Sequence, residues 1–240
     1  LIEELLPEAV VAVEAFGADA AVDAPLYPEE QAVVARAVDK RRREFGSVRL
    51  CARRAMEKLG VEPGPVLPGE RGAPRWPEGI LGSMTHCTGY CAAALVRAPE
   101  LASLGIDAEP HEALPEGVLG AVAAPAERER VHALTAAHPA VHWDRLLFSA
   151  KEAVYKAWFP LTGRWLDFQE ADLHIRPPDG DGVRGGGDNM TGGFRATLLV
   201  AGPRVGDRVV QAFDGRWAVR QGLLATAVTV PHGGVPGGTA

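Results

Sequence analysis

The sequence predicts an α+β protein made of two comparable halves, each a small, mainly antiparallel sheet packed with helices. Three observations lead there. Helical and strand-like patterns follow one another as helix, strands, helices, strands. The 240 residues, at about 150 per domain, make one large or two small units. Hydrophobic residues at 47% and charged ones at 23% match ordinary globular proteins, which excludes disorder, collagen and coiled coil. No sequence repeat relates the two halves.

The first helix opens at Tyr27-Pro28-Glu29-Glu30, where proline suits the first turn and the carboxylates suit the positive end of the dipole. Its pattern runs to Leu59-Gly60, with a possible break at Gly46. Short strand-like pieces follow at Ile80 to Met84, Tyr90 to Val96 and Leu104 to Glu109, expected to form one three-stranded sheet. Helical patterns cover Pro125 to Ala137 and Trp143 to Trp158, the second ending at Pro160. The remainder reads as strands at Ala171 to Ile175, Phe194 to Val200, Arg208 to Phe213, Trp217 to Arg220 and Leu223 to Val230. Glycine and proline cluster in Pro177 to Gly193, read as a mobile loop, and in Pro231 to Ala240, read as a flexible tail.

A net charge of −6 argues against a general nucleic-acid binder, which needs a basic surface to displace counterions. No stretch approaches the roughly 18 apolar residues of a membrane span; the run from Ala9 to Val13 stops at Glu14. Three cysteines are too few, and odd in number, for a disulfide framework, so a reducing cytoplasm is expected. The chain starts at Leu1 rather than Met, and no part of it reads as a targeting segment.

Four places carry chemistry. Arg36, Lys40, Arg41, Arg42, Arg43, Arg49, Arg53 and Arg54 crowd one helical pattern of an otherwise acidic chain, which suits either a solvated face or a phosphate site. Asp107 and Glu109 stand two apart in a strand, so both carboxylates share a face. At roughly 6 to 7 Å their repulsion costs about 2 to 3 kcal/mol at an effective dielectric near 20. Exposure to water, an arginine, a raised pKa or a hard cation such as Mg²⁺ would offset it. Glu152 and Lys156 lie side by side on a helix, either as a surface ion pair or as part of a site, and a cap at Ser149 would interrupt a pattern already helical from Trp143. His86 follows small hydroxyl residues at a strand end, where histidine reaches a phosphate or serves structure. The spacing of His86, Cys87 and Cys91 fits no usual zinc ligand set.

Taken together, the stretches Arg41-Arg42-Arg43-Glu44-Phe45, Val48-Arg49-Leu50-Cys51-Ala52-Arg53, Trp76 to Cys87, Gly105-Ile106-Asp107-Ala108-Glu109 and Phe148 to Ala157 give the chain its likeness. It resembles the Sfp-like 4′-phosphopantetheinyl transferases, in the variant seen in enterobactin synthase component D. The resemblance implies that family's fold of two pseudo-twofold halves, here 1–109 and 110–230, with coenzyme A and Mg²⁺ between them. By likeness Asp107, Glu109 and Glu152 hold the metal, Ala108 offers no side-chain ligand, and Glu152 and Lys156 are catalytic. Arg41, Arg49, Thr85, His86 and Lys156 contact coenzyme A, with Arg53 and Arg71 as helpers. The implied reaction moves the phosphopantetheine arm onto a serine of an apo acyl or peptidyl carrier protein, leaving adenosine 3′,5′-bisphosphate. Glu152 is the implied general base, with a metal-bound water as its rival. The likeness also implies a monomer serving polyketide, nonribosomal peptide or siderophore assembly. A non-catalytic coenzyme A or carrier-binding protein is the alternative, and another Mg²⁺-dependent phosphoryl-transfer enzyme a third reading.

Overall fold

A computed structural model describes residues 1–178 and 189–233. In chain order the elements are β1 (Val11–Phe16), α1 (Pro28–Val33), α2 (Asp39–Lys58), β2 (Ile80–Cys87), β3 (Tyr90–Arg97), β4 (Ser103–Pro110), α3 (Val118–Val122), α4 (Pro125–Ala137), α5 (Trp143–Thr162), β5 (Ala171–Ile175), β6 (Asn189–Leu198), β7 (Arg204–Val205), β8 (Arg208–Val209), β9 (Ala212–Arg220) and β10 (Leu223–Val230). The fold is α+β, with antiparallel sheets packed by helices, as expected. Its sheets run β1-β3-β2 and β4-β10-β9-β6-β5, beside a two-stranded ribbon of β7 and β8.

The expected grouping of the first three strands is therefore corrected. β2 and β3 form a hairpin, but β1 is their third strand, and β4 pairs antiparallel with β10, Asp107 opposite Thr226. β4 still lies against β2, joined by side chains instead of a main-chain ladder. Ser83 Oγ accepts the Ile106 N–H at 3.1 Å, and Thr85 Oγ1 accepts the Ala108 N–H at 3.0 Å. Two hydroxyls thus satisfy donors on the buried edge of β4 that would otherwise go unpaired.

Residues Tyr90 to Val96 of β3 are buried on both faces. One face (Cys91, Ala93, Leu95) packs under α2 with Val48, Ala52 and Met56. The other (Tyr90, Ala92, Ala94, Val96) meets Ile106, Ala218 and Ala225 of the larger sheet. Behind that sheet α5 packs Trp143, Trp158 and Leu146 against Phe194, Phe213 and Trp217.

The single helix expected from Tyr27 to Gly60 is two. It breaks at residues 34–38, where Val34 leaves helical geometry and Val38 is extended, and not at Gly46, which lies inside α2. The β-branched Val33, Val34 and Val38 are weak helix formers, while Gly46 costs only about 1 kcal/mol, offset by its buried neighbours Phe45 and Val48. Helix α5 passes through Pro160 and stops at Gly163, because proline in a last turn removes one bond only. The expected strands 208–213 and 217–220 become the β7/β8 ribbon and one continuous β9. A Gln221-Gly222 turn, with φ +51° and +73°, joins β9 to β10 as a tight hairpin needs. Of the expected 177–193 loop, Asn189 to Gly193 belong to β6, paired with β9, and 179–188 lie outside the described residues, as do 234–240 of the expected tail.

Candidate active site

A cleft of about 650 Å³ opens between α2 and β2 on one side and α5 on the other, with residues 68–76 along its rim. That volume suits a sizeable small molecule. Its walls include Arg41, Phe45, Arg49, Arg71, Trp76, His86, Glu152, Tyr155 and Lys156. Trp76 is anchored there by its indole N–H to the Gly82 carbonyl at 3.0 Å.

The acidic end is set by how closely α5 lies on β4. Gly105 makes the approach possible: a Cβ there would fall 2.1 Å from the Ala153 carbonyl oxygen and 2.7 Å from the Ala157 nitrogen. Ser103 fastens the contact, its hydroxyl donating to the Ala157 carbonyl at 2.7 Å. Lys156 then reaches across, donating to the Ile106 carbonyl at 3.0 Å and to Asp107 Oδ1 at 2.7 Å. Asp107 is buried, and Thr85 donates to the same Oδ1 at 3.3 Å. Its other oxygen, Oδ2, is buried without a hydrogen-bond partner.

Glu109 faces the same way and is held by Arg145 Nη1 at 3.0 Å. Arg145 is fixed in turn by the carbonyls of Glu112 (3.1 Å) and Ala113 (2.8 Å). The carboxyls of Glu109 and Glu152 are both pushed up, first by burial and next by the charge of Asp107. Glu152 also senses Glu109, with Lys156 pulling the other way. The repulsion expected for the Asp-x-Glu pair is therefore present, and Lys156 and Arg145 offset it.

The chemistry of this donor set suits a hard cation: three carboxylates from two elements repel one another, and one buried oxygen has no partner. Among the described residues, however, no three His, Cys, Asp or Glu side chains stand in an arrangement able to hold a metal ion. Two of the carboxylates turn to cationic side chains instead.

On the opposite wall His86 Nε2 meets Arg41 Nη1 at 3.0 Å. A guanidinium only donates, so Nε2 accepts and the imidazole proton sits on Nδ1. Burial, then Arg41, hold the His86 pKa below its ordinary value, with Glu44 at 3.7 Å opposing. Arg49 lies over the Phe45 ring, 3.1 Å from its centroid, and donates to the Val66 and Phe45 carbonyls at 2.8 and 3.2 Å. Burial lowers its pKa to about 10, so it stays charged at neutral pH.

The remaining candidates separate. Arg71, at φ +51°, stands on the rim, 5.6 Å from the centroid of the Trp165 ring. Thr85 touches Asp107 from below the cleft floor. Arg53 is not part of the cleft lining; it is engaged by Glu30 and the Pro25 carbonyl. Sequence reasoning missed Arg145, although residues 145, 152 and 156 have the 7 and 4 spacing of one helical face. It also missed Glu30 as anything beyond a helix-start acid, and Tyr155, whose buried hydroxyl has no hydrogen-bond partner.

Fold and site together define an α+β protein with an arginine and histidine wall facing a carboxylate and lysine cluster. Residues 29–96 match the 4′-phosphopantetheinyl transferase N-terminal domain, and residues 103–196 match the 4′-phosphopantetheinyl transferase superfamily. The chain is 54% identical to 4′-phosphopantetheinyl transferase Svp of Streptomyces mobaraensis, over all of this chain and 92% of that protein. It is 46% identical to 4′-phosphopantetheinyl transferase Npt of Nocardia iowensis, over 95% and 99% of the two chains. A weaker likeness, 32% over about half of each chain, joins it to enterobactin synthase component D of Salmonella typhi. The chain belongs to the 4′-phosphopantetheinyl transferase family and is an enzyme of that type. No helix among the described residues is long and apolar enough to cross a membrane.

Proposed function

We propose that the enzyme transfers 4′-phosphopantetheine from coenzyme A to a serine of apo acyl and peptidyl carrier domains in a Mg²⁺-dependent reaction. The observation that carries this reading is the meeting of Lys156 and Asp107 at the cleft edge, opposite Arg41, Arg49 and His86. One wall offers guanidinium and imidazole donors for phosphate, and the other offers the groups that transfer needs.

Arg41, Arg49 and His86 grip the phosphates of coenzyme A, His86 through Nδ1–H because Nε2 already accepts from Arg41. Arg71 supports them from the rim, and Thr85 acts through Asp107. Lys156 has three donors and uses two on Asp107 and Ile106, so one remains for a phosphoryl oxygen. For Mg²⁺ to be held, the carboxylates of Asp107, Glu109 and Glu152 would have to draw together from the positions described, and the ion would then supply positive charge to the diphosphate. The carrier serine oxygen forms a bond to the phosphorus bearing the pantetheine arm. The bond from that phosphorus to the bridging oxygen breaks, and adenosine 3′,5′-bisphosphate leaves with the electron pair. Glu152, on the cleft wall, takes the serine proton. Lys156 stabilises charge on the phosphoryl oxygens as it develops.

The division after residue 109 belongs to this proposal, with carboxylates on both sides of it. So do a monomeric enzyme, since the cleft is complete within one copy, a cytoplasmic place of action, and partners drawn from polyketide, nonribosomal peptide or siderophore assembly. Purified protein with Mg²⁺, coenzyme A and an apo carrier is expected to add about 340 Da to the carrier serine, as phosphopantetheine transfer onto a hydroxyl requires. An unchanged carrier mass across several acyl and peptidyl carriers rejects the proposal. Coenzyme A binding without that mass gain would point to the non-catalytic alternative.

A further inference from the structure

Glu30 is a fully buried carboxylate on α1, outside the cleft, and it ties together three segments. Its Oε2 accepts the Tyr27 N–H at 3.1 Å and so closes the first turn of α1. Its Oε1 accepts the Val66 N–H at 2.8 Å, which fixes the segment between α2 and β2. Arg53 Nη1 stands 3.2 and 3.4 Å from the two oxygens and provides the neutralising charge that a buried carboxylate needs. Val66 is thus held through both of its main-chain polar groups. Its N–H goes to Glu30, and its C=O accepts from Arg49 Nε at 2.8 Å. Arg49 Nε itself stands 3.9 Å from Glu30 Oε1.

We infer that Glu30, with Arg53 as its counter-ion, is a positioning residue that aims Arg49 into the cleft and so sets the affinity for a phosphate-bearing substrate. The two arginines sit one turn apart on α2 and divide the work. Arg53 closes the ion pair beneath, and Arg49 lines the cleft, its guanidinium held over Phe45 by a residue, Val66, that Glu30 fixes. Without the carboxylate, the Val66 carbonyl and hence the Arg49 fork lose their fixed direction. Glu30 touches no reacting atom, so its influence falls on binding and not on the transfer step. The inference rests on the proposed use of Arg49 for coenzyme A.

The test compares the full-length wild-type enzyme with Glu30→Gln, a change that keeps volume, removes charge and puts an amide donor against Arg53. Transfer to an apo carrier is measured against coenzyme A concentration, with direct binding of coenzyme A by calorimetry. The expected result is a rise of about tenfold in KM and Kd for coenzyme A, with kcat at saturation changed less than about twofold. A merely structural glutamate would lower the melting temperature without that split. In a double-mutant cycle, Glu30→Gln is expected to add nothing to the loss of affinity already caused by Arg49→Ala, because it acts through that residue. Should Glu30→Gln not accumulate as folded protein, Arg53→Lys, which replaces the fork by a point charge, carries the same expectations. An unchanged KM, a fall confined to kcat, or additive losses in the cycle overturns the inference while leaving the transferase intact. A wild-type enzyme that neither binds coenzyme A nor modifies a carrier removes the functional reading itself.

Discussion

Asp107 concentrates the chemistry of the site in one side chain: Oδ1 takes Lys156 and Thr85, and Oδ2 is buried with no partner. Asp107→Asn is expected to lower kcat at least about 100-fold, because it removes the charge that holds Lys156 and serves any cation. Circular dichroism unchanged beside normal turnover would remove Asp107 from the site. Glu152→Gln is expected to abolish transfer while coenzyme A still binds, and a carrier mass gain at the wild-type rate would exclude it as base. At His86 the sign of the pH effect follows from its lowered pKa. Below about pH 6.5 the unfolded chain takes up a proton that the folded protein resists, so this contribution is complete above 6.5 and is lost as pH falls. Urea unfolding at pH 7.5 and 5.5 is expected to show a smaller acid loss in His86→Gln than in wild type. Asp107, Glu109, Glu152, Lys156 and His86 were legible as residues because their types and spacing are local. The Glu109 to Arg145 bond was not, because it spans 36 positions and depends on the path of the 110–117 loop.

Among the elements, β4 and α5 decide the geometry, and Gly105 is the point where they touch. Gly105→Ala is expected to destabilise the protein by about 3 kcal/mol, the upper part of the overpacking range, because backbone on α5 cannot yield as a side-chain end does. Transfer is expected to fall with it, since moving α5 separates Lys156 from Asp107. Chemical denaturation of this variant measures the first effect, and a wild-type midpoint would show that the helix tolerates the methyl group. The positions of β2, β3, β4, α4, α5, β5 and β10 were legible from periodicity and punctuation. Their partners were less so. A strand's sequence records which of its faces are buried but not which edge it pairs with, so β4 was placed beside β2 and β3 when its ladder belongs to β10. Strand β1 escaped notice because six residues between loops carry too little pattern to stand out.

Across the whole molecule the two sheets share one wall. β3 is packed from both sides, and β2 is stitched to β4 by Ser83 and Thr85. The halves are therefore expected to unfold as one cooperative unit, with calorimetric and van't Hoff enthalpies in agreement. Two separate transitions would show that the seam is weaker than its packing implies. A ligand bound only to the folded chain raises stability by about 2.7 kcal/mol at 100 times its Kd. Coenzyme A at that excess is expected to lift the melting temperature as a single shifted peak.

Trp76 gives this architecture an optical consequence. Trp143, Trp158 and Trp217 are sealed in the core, and Trp165 is 52% exposed outside the cleft lining, so Trp76 is the one indole of five that lines the cleft. Its emission therefore serves as a built-in, label-free gauge of occupancy, and Trp76→Phe marks the signal that belongs to it.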